Sequence, residues 1–264
     1  VSAARPLDGK VVLVTGAGRG LGRATALRCG RAGATLALAG RTTADLDAVA
    51  ATLEAETGVP AIVVPTDVRD ADATRDMVTQ VLDDLGRVDV LVANSGIGGP
   101  TAPIWEVSPE DWDETYAVNV RGVFLCCRSV LPSMVARRSG SIVVVGSMSG
   151  KRPLLNRSAY TSSKLALVGL TRTVALEAGE HGVRANLVSP GPVAGPRLDA
   201  VLQAQAQAFD RPEAELRAEF QAVSPLRRFV EPEQVAAAVV FLASDEAGGI
   251  TGEDLNVSAG TTMY

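Results

Sequence analysis

Val11-Val12-Leu13-Val14-Thr15-Gly16-Ala17-Gly18-Arg19-Gly20-Leu21-Gly22 sets the architecture of the chain. A short β-branched and aliphatic run enters a glycine-rich turn. The apolar residues that follow, Leu21, Ala24, Leu27 and Cys29, recur near helical spacing before Gly33. The order is strand, turn, helix. Glycines at such a junction let main chain approach a charged group closely, and the helix start aims unpaired N–H groups at it, a setting suited to a pyrophosphate. Gly16, Gly20 and Gly22 are spaced G-x-x-x-G-x-G, not G-x-G-x-x-G, and no Lys-Ser or Lys-Thr follows, which excludes a P-loop.

The same unit repeats outward. Residues 35–39 read as a strand before a helix carrying Leu46, Val49, Ala50 and Leu53, and residues 61–64 as a strand before a helix from about Asp70. Further strands are expected at residues 88–93, 141–146, 184–188 and 254–257. Ser108 before Pro109-Glu110-Asp111 reads as a helix cap with proline in the first turn, opening a helix to about Arg138. Helices are also expected over residues 158–179 and 232–243. Short apolar strands alternating with amphipathic helices predict an α/β fold: a doubly wound parallel sheet in a single Rossmann-type domain over residues 1–264. Only residues 191–228 break the rhythm. Pro192, Pro196, Pro212 and Pro225 punctuate them, and an insertion at this edge of such a sheet is expected to cover the substrate.

Composition removes several function classes. The 264 residues carry 25 Lys and Arg against 30 Asp and Glu, so no cationic face for nucleic acid is expected. The most apolar late run, residues 235–243, is about half a bilayer span, and no membrane segment is expected. The early apolar run ends in glycines, not in a cleavage site, so no secretion signal is read. Cys29, Cys126 and Cys127 lack Cys-x-x-Cys spacing, which fits a reducing cytoplasm. The one histidine, His181, falls at a helix end. Ser-His-Asp hydrolysis and multi-histidine metal sites are therefore excluded, and no metal is expected.

The end of the second strand addresses the nucleotide. An NAD site normally places a carboxylate there for the ribose 2′-hydroxyl. Here stand Gly40 and Arg41, followed by Thr42 and Thr43. A guanidinium grips a 2′-phosphate bidentately, and Arg19 adds a second cation from the glycine turn, so NADP(H) is expected. Asp45 lies close enough to keep NAD open as the alternative. Asp67, just after the third strand, is placed to accept a hydrogen bond from the adenine amine.

Tyr160 and Lys164 are four apart on an expected helix and so share one face. An ammonium beside a phenol favours phenolate; bringing a tyrosine from ~10 toward ~7 takes about 4 kcal/mol of preferential stabilisation. Tyr-x-x-x-Lys alone is common by chance. Its context here resembles the short-chain dehydrogenase/reductase family, whose marks run in order along nearly the whole chain: Thr15 to Gly22, Asp67, Ala93-Asn94-Ser95-Gly96, Asn119, Ser147, Tyr160, Lys164 and Pro190-Gly191.

That resemblance implies roles. Tyr160 would be general acid in reduction and base in oxidation, Ser147 would bind the reacting oxygen, and Lys164 would also hold the nicotinamide ribose. Asn119 would hold a water linking Lys164 to solvent. Leu21, Val68, Asn94, Gly96, Pro190, Gly191 and Val193 would join Gly16, Arg19, Gly20, Gly22, Arg41 and Asp67 around the cofactor. The sequence departs from the pattern at Ala93, where a second asparagine is usual and whose loss puts sheet-stabilising contacts in doubt. It departs also at Gly146, and in residues 190–195, which lack a threonine shortly after Pro-Gly.

By family position the substrate would meet residues 96–105, residues 148–155 and the segment containing Leu198, Val201, Leu202, Phe209 and Phe220, mostly apolar side chains. A 3-oxoacyl carrier-protein reductase is one branch of the resemblance, with Arg137, Arg138, Arg227 and Arg228 available to meet an acidic carrier or left as solvated surface. Apolar residues on more than one face near 118–131 and 165–170 suggest subunit contacts, and the family implies a homotetramer, with a dimer next. Two other readings stay open: an NAD-dependent alcohol or polyol dehydrogenase of the same family, and a non-catalytic NADP(H)-sensing regulator.

Overall fold

The computed structural model describes residues 5–264; residues 1–4 of the expected domain lie outside the described residues. The chain opens with β1 (Val11–Thr15), α1 (Gly20–Arg31), β2 (Thr35–Gly40), α2 (Thr43–Thr57), β3 (Ile62–Pro65), α3 (Ala71–Leu85) and β4 (Val90–Ala93). It continues through α4 (Pro109–Tyr116), α5 (Gly122–Arg137), β5 (Gly140–Val145), α6 (Ser158–Gly179) and β6 (Val183–Pro190). It closes with α7 (Pro196–Phe209), α8 (Glu213–Val223), α9 (Pro232–Ala243) and β7 (Asp254–Val257). All strand pairs are parallel, in the order β3-β2-β1-β4-β5-β6-β7, giving the doubly wound sheet expected from the βα alternation.

Side-chain alternation along the strands builds two cores. Val11 and Leu13 face a layer containing Met77, Val81, Cys126, Val130 and Leu167 from α3, α5 and α6. Val12 and Val14 face the other way, onto Leu27, Leu46, Val49, Val235 and Val239 from α1, α2 and α9. The helix ends follow local chemistry. Asp70 accepts N–H bonds from Asp72 and Ala73, Ser108 accepts from Asp111, and Gly58 and Gly86 close α2 and α3 in the left-handed region.

Strand limits move by a residue or two from those expected. β3 takes in Pro65, tolerated because β3 is an edge strand, and β6 runs on to Pro190 because β7 pairs with its last four residues. The helix expected to run unbroken from Ser108 to Arg138 instead contains a π-helical segment, Ala117–Arg121. Taken as one run, Pro109–Arg137 is long and apolar enough to cross a bilayer, longer than the late run at 235–243. Half of its most apolar 18-residue window is buried, as are seven residues of α5, which accounts for the apolarity.

Cys29, Cys126 and Cys127 are free and buried, and burial pushes the Cys29 and Cys127 thiols up to about 12. Residues 191–228 form a compact outgrowth. Val193 and Val230 pair at its neck, where Ala194 N–H donates to Val230 O and Val230 N–H to Pro192 O. Its helices α7 and α8 close on a small core of their own, Leu198, Leu202, Leu216 and Phe229.

Candidate active site

The carboxyl ends of β1, β2, β4, β5 and β6 open into one cleft of about 650 Å³, within the range of small-molecule and cofactor sites. At one end lies the glycine turn. Gly16 and Gly20 have φ of +66° and +54°, and a Cβ on Gly22 would stand 2.0 Å from Gly16 O. Residue types other than glycine are therefore strained at the first two positions and blocked at the third. No side chain caps α1 and its first turn holds no acid, so its leading N–H groups face the cleft free for an anion.

Asn94 braces this turn. Its Nδ2 donates to Thr15 O at 3.0 Å and Gly16 O at 3.3 Å, while the N–H groups of Asn94 and Ser95 both donate to the Thr15 hydroxyl oxygen. The link between β1 and β4 put in doubt by Ala93 is thus made by Thr15 and Asn94.

Around the end of β2, Arg41 is exposed and has no ion-pair partner among the described residues, whereas Arg19 and Asp45 approach to 3.5 Å. Asp67 and Val68 line the same wall. The Asp67 carboxylate already accepts hydrogen bonds from Arg69, which also grips Glu114, and these bonds hold it below the usual carboxylate range. Asp67 therefore faces the cleft as one arm of a clamp between β3 and α4, with fewer lone pairs free for an adenine amine than its position alone suggests.

At the other end, α6 carries Tyr160 and Lys164 on one face, as their spacing requires. Lys164 Nζ donates to Val145 O at 2.9 Å and lies 6.0 Å from the centre of the Tyr160 ring. Burial by itself would raise the Tyr160 phenol. The charges of Lys164, Arg197 and Arg157, with the neighbouring Ser147 hydroxyl, outweigh it and hold the phenol below its ordinary value. Burial also pushes the Lys164 ammonium down to about 8. A phenol so held is a better proton donor than a free tyrosine, and Ser147, whose Oγ accepts from Ser149 N–H at 3.1 Å, stands beside it where an oxygen could be directed toward the phenol.

All of the expected site residues line this cleft except Asn119. Asn119 is wholly buried in the π-helical segment. Its Oδ1 accepts from Ile97 N–H at 2.8 Å, and its Nδ2 donates to Ile97 O and Ser163 Oγ at 3.0 Å each. It ties the chain after β4 to α6, so that Gly96 sits between Asn119 Oδ1 and Lys164 Nζ.

Sequence reasoning missed two arginines. Arg157, immediately before α6, is 4% exposed and stands 5.2 Å from the Tyr160 ring centre; Arg197, in the first turn of α7, is 5.9 Å from it. The i−3 spacing of Arg157 from Tyr160 could have flagged the first. Nothing local marks the second.

The expected apolar wall is partly corrected. Ile97, Met148, Leu154, Leu198, Val201 and Phe220 line the cleft, but Leu202 is sealed in the small core of the outgrowth, Phe209 does not reach the cleft, and Trp105 and Leu155 point to solvent. Arg137 bonds Val88 O and Arg138 bonds Glu180 O, at the amino ends of the strands, on the far side of the sheet from the cleft. Arg227 and Arg228 bond Ala222 O and Gln234.

A parallel sheet with a glycine turn, a lysine-flanked phenol and a cleft across both defines a nucleotide-binding oxidoreductase class. The profile of the family described as enoyl-(acyl carrier protein) reductase matches residues 16–262. Across 260 residues the chain is 35% identical to the short chain dehydrogenase/reductase astE of Aspergillus oryzae, covering 97% of this chain and 96% of that one. Over 260 residues it is 36% identical to the 3-oxoacyl-(acyl-carrier-protein) reductase FabG of Thermotoga maritima, covering 97% and 99%. The crystal structure of an NAD+-bound xylitol dehydrogenase superimposes with a TM-score of 0.93 at 31% identity, covering 96% of this chain and 99% of that one. The chain belongs to the short-chain dehydrogenase/reductase family.

Proposed function

We propose that this protein is an NADP(H)-dependent oxidoreductase that interconverts a carbonyl and an alcohol, with Tyr160 as general acid and base. The observation that carries the reading is the partly buried phenol beside buried Lys164, at the far end of a cleft that begins in a glycine cradle. A Cβ would fill that cradle at Gly22, and its free N–H groups suit a diphosphate, so the residues fit a dinucleotide. Gly16, Arg19, Gly20, Leu21 and Gly22 would hold its diphosphate, Asp67 and Val68 its adenine. Asn94, Gly96, Lys164, Pro190, Gly191 and Val193 would hold its nicotinamide half. When bound, the nicotinamide supplies or accepts hydride. Tyr160 gives its proton to the carbonyl oxygen in reduction and takes it back in oxidation. Ser147 orients that oxygen, Lys164 keeps the phenol acidic, and Asn119 fixes the 94–97 segment beside Lys164 and would lead the proton path to solvent.

Arg41 supports NADP(H): with Arg19 facing Asp45 and Arg69 holding Asp67, it lines this end of the cleft with no ion-pair partner among the described residues and would be available to a 2′-phosphate. Asp45, lining the same wall, is the feature that favours NAD, the cofactor in the xylitol dehydrogenase structure. Steady-state kinetics on a carbonyl panel decides between them. NADPH should be preferred over NADH in kcat/KM by at least about tenfold, and Arg41→Ala should erase about tenfold of that preference. Equal or NADH-favouring values sink the assignment.

We further infer a homotetramer. Phe124 on α5 and Leu165 and Leu176 on α6 are 45%, 52% and 83% exposed, apolar surface that a partner copy would cover. Light scattering at micromolar concentration should give four times the 27.3 kDa chain mass; a monomer contradicts it. Three free thiols and no disulfide among the described residues support a reducing, cytoplasmic setting.

A further inference from the structure

Two guanidinium groups at the reacting end of the cleft carry charge that no acid in the described protein balances. Arg157 donates only to neutral oxygens, Gly98 O at 2.7 Å and Thr101 Oγ1 at 3.0 Å, and its Nε is buried without a partner. Arg197 reaches Gly96 O at 3.3 Å and, among the described residues, likewise has no carboxylate. With Lys164, three cations surround one phenol.

The shortage of acid is local. Elsewhere in the chain Arg69, Arg211 and Arg217 each reach two carboxylates. The acids lining the cleft, Asp45 and Asp67, stand at its nucleotide end and are met by Arg19 and Arg69. The start of α6 adds the positive end of a long helix, with no acidic residue in its first turn.

Burying a guanidinium without a counter-ion is costly, and the phenol is neutral in the state that donates a proton, so the resting site holds positive charge awaiting an anion. The two arginines divide the task. Arg157 is fixed by its bonds to Gly98 and Thr101 and supplies field. Arg197, exposed on the first turn of α7, offers a planar fork that can take a carboxylate bidentately. The surrounding wall of Ile97, Leu154, Leu198, Val201 and Phe220 suits a hydrocarbon body.

We propose that the substrate is an anionic carbonyl compound with an apolar body, or the matching hydroxy acid, whose carboxylate is received by Arg197 in the field of Arg157, a few bonds from the carbon that reacts. This rests on the reading of Tyr160 as proton donor to a carbonyl. The reaction is otherwise unchanged: the carbonyl carbon gains a hydride, its oxygen gains the Tyr160 proton, the nicotinamide is oxidised, and the carboxylate takes no part.

The test uses matched pairs, each an aryl- or alkyl-substituted 2-, 3- or 4-oxo acid and its methyl ester, assayed with NADPH and NADH. For the best pair the acid should exceed the ester in kcat/KM by at least about tenfold, and Arg197→Met should collapse that ratio by about tenfold, mainly through KM. An ester turned over as well as its acid overturns the proposal. So does an Arg197→Met protein that loses NADPH affinity and both substrates alike, since Arg197 would then be a cofactor contact. Where no oxo acid of the panel is a substrate, calorimetry on the NADP+ complex decides: benzoate binding tighter than benzamide, and lost in Arg197→Met, supports it, and equal affinity overturns it. Tyr160-dependent turnover of neutral carbonyls alone removes the anionic substrate and leaves the oxidoreductase standing. Absence of any turnover, with benzoate still bound through Arg197, removes the oxidoreductase and leaves an anion site.

Discussion

Tyr160→Phe lowers kcat by about 10²–10⁴-fold while leaving the fold in place, because the change deletes one oxygen and keeps the ring. The ring is what Arg157 and Arg197 stack against, so its packing survives. Cofactor affinity should change by less than about tenfold, the worth of one lost hydrogen bond. The pH profile carries a signature that a structural role would not give. In oxidation the phenolate is the working form, so kcat/KM rises with pH through the phenol's depressed titration; in reduction the phenol works, and the rate falls over the same range. Lys164→Met removes a positive charge from beside the phenol and should move both limbs to higher pH. An enzyme whose Tyr160→Phe form keeps wild-type turnover has some other proton donor. A protein that binds cofactor tightly but turns over nothing in either form would be the sensing regulator.

Gly22→Ala should be nearly as damaging, by a different route. The added methyl would meet Gly16 O at 2.0 Å and Asn94 Nδ2 at 2.5 Å, backbone on one side and the brace of the turn on the other. Neither can yield without opening the hydrogen bonds from Asn94 to Thr15 and Gly16. Overpacking of this kind costs about 1–3 kcal/mol in stability, and the turn it displaces is the diphosphate cradle. NADPH should raise the Tm of the parent protein and fail to raise that of the variant. Gly249→Ala, with nothing within 4 Å of the added atom, is the control and should behave like the parent in both respects. Parent-like NADPH affinity in Gly22→Ala would falsify the assignment of this turn to the cofactor.

These residues show what a sequence exposes and what it hides. The two faces of the sheet are legible because Val11 and Leu13 alternate with Val12 and Val14, and strand-turn-helix junctions are legible because glycine is needed where φ is positive. Tyr160 and Lys164 are legible because helical spacing alone puts them together. The π-helical segment is not, since an i+5 register leaves no mark in composition; it is held by the bonds of Asn119 to Ile97 and Ser163, 22 and 44 residues away. Arg197 is hidden for the same reason: 37 positions separate it from Tyr160, and only the path of the outgrowth brings it back over the ring. Asp67 is legible in place but not in company, because Arg69, in the turn before α3, is held over it by Glu114 on α4, 45 residues further along the chain.

The neck at Val193 and Val230 has a consequence for how such a molecule changes over generations. What lies between those two residues coheres through its own small core and meets the rest of the chain at few points: the neck, the bonds of Ser224 and Leu226 to Ala259 O, and Arg197 on Gly96 O. Its lining can be rewritten with the glycine turn untouched, and new chemical appetites can be tried there as long as those few anchor points are kept.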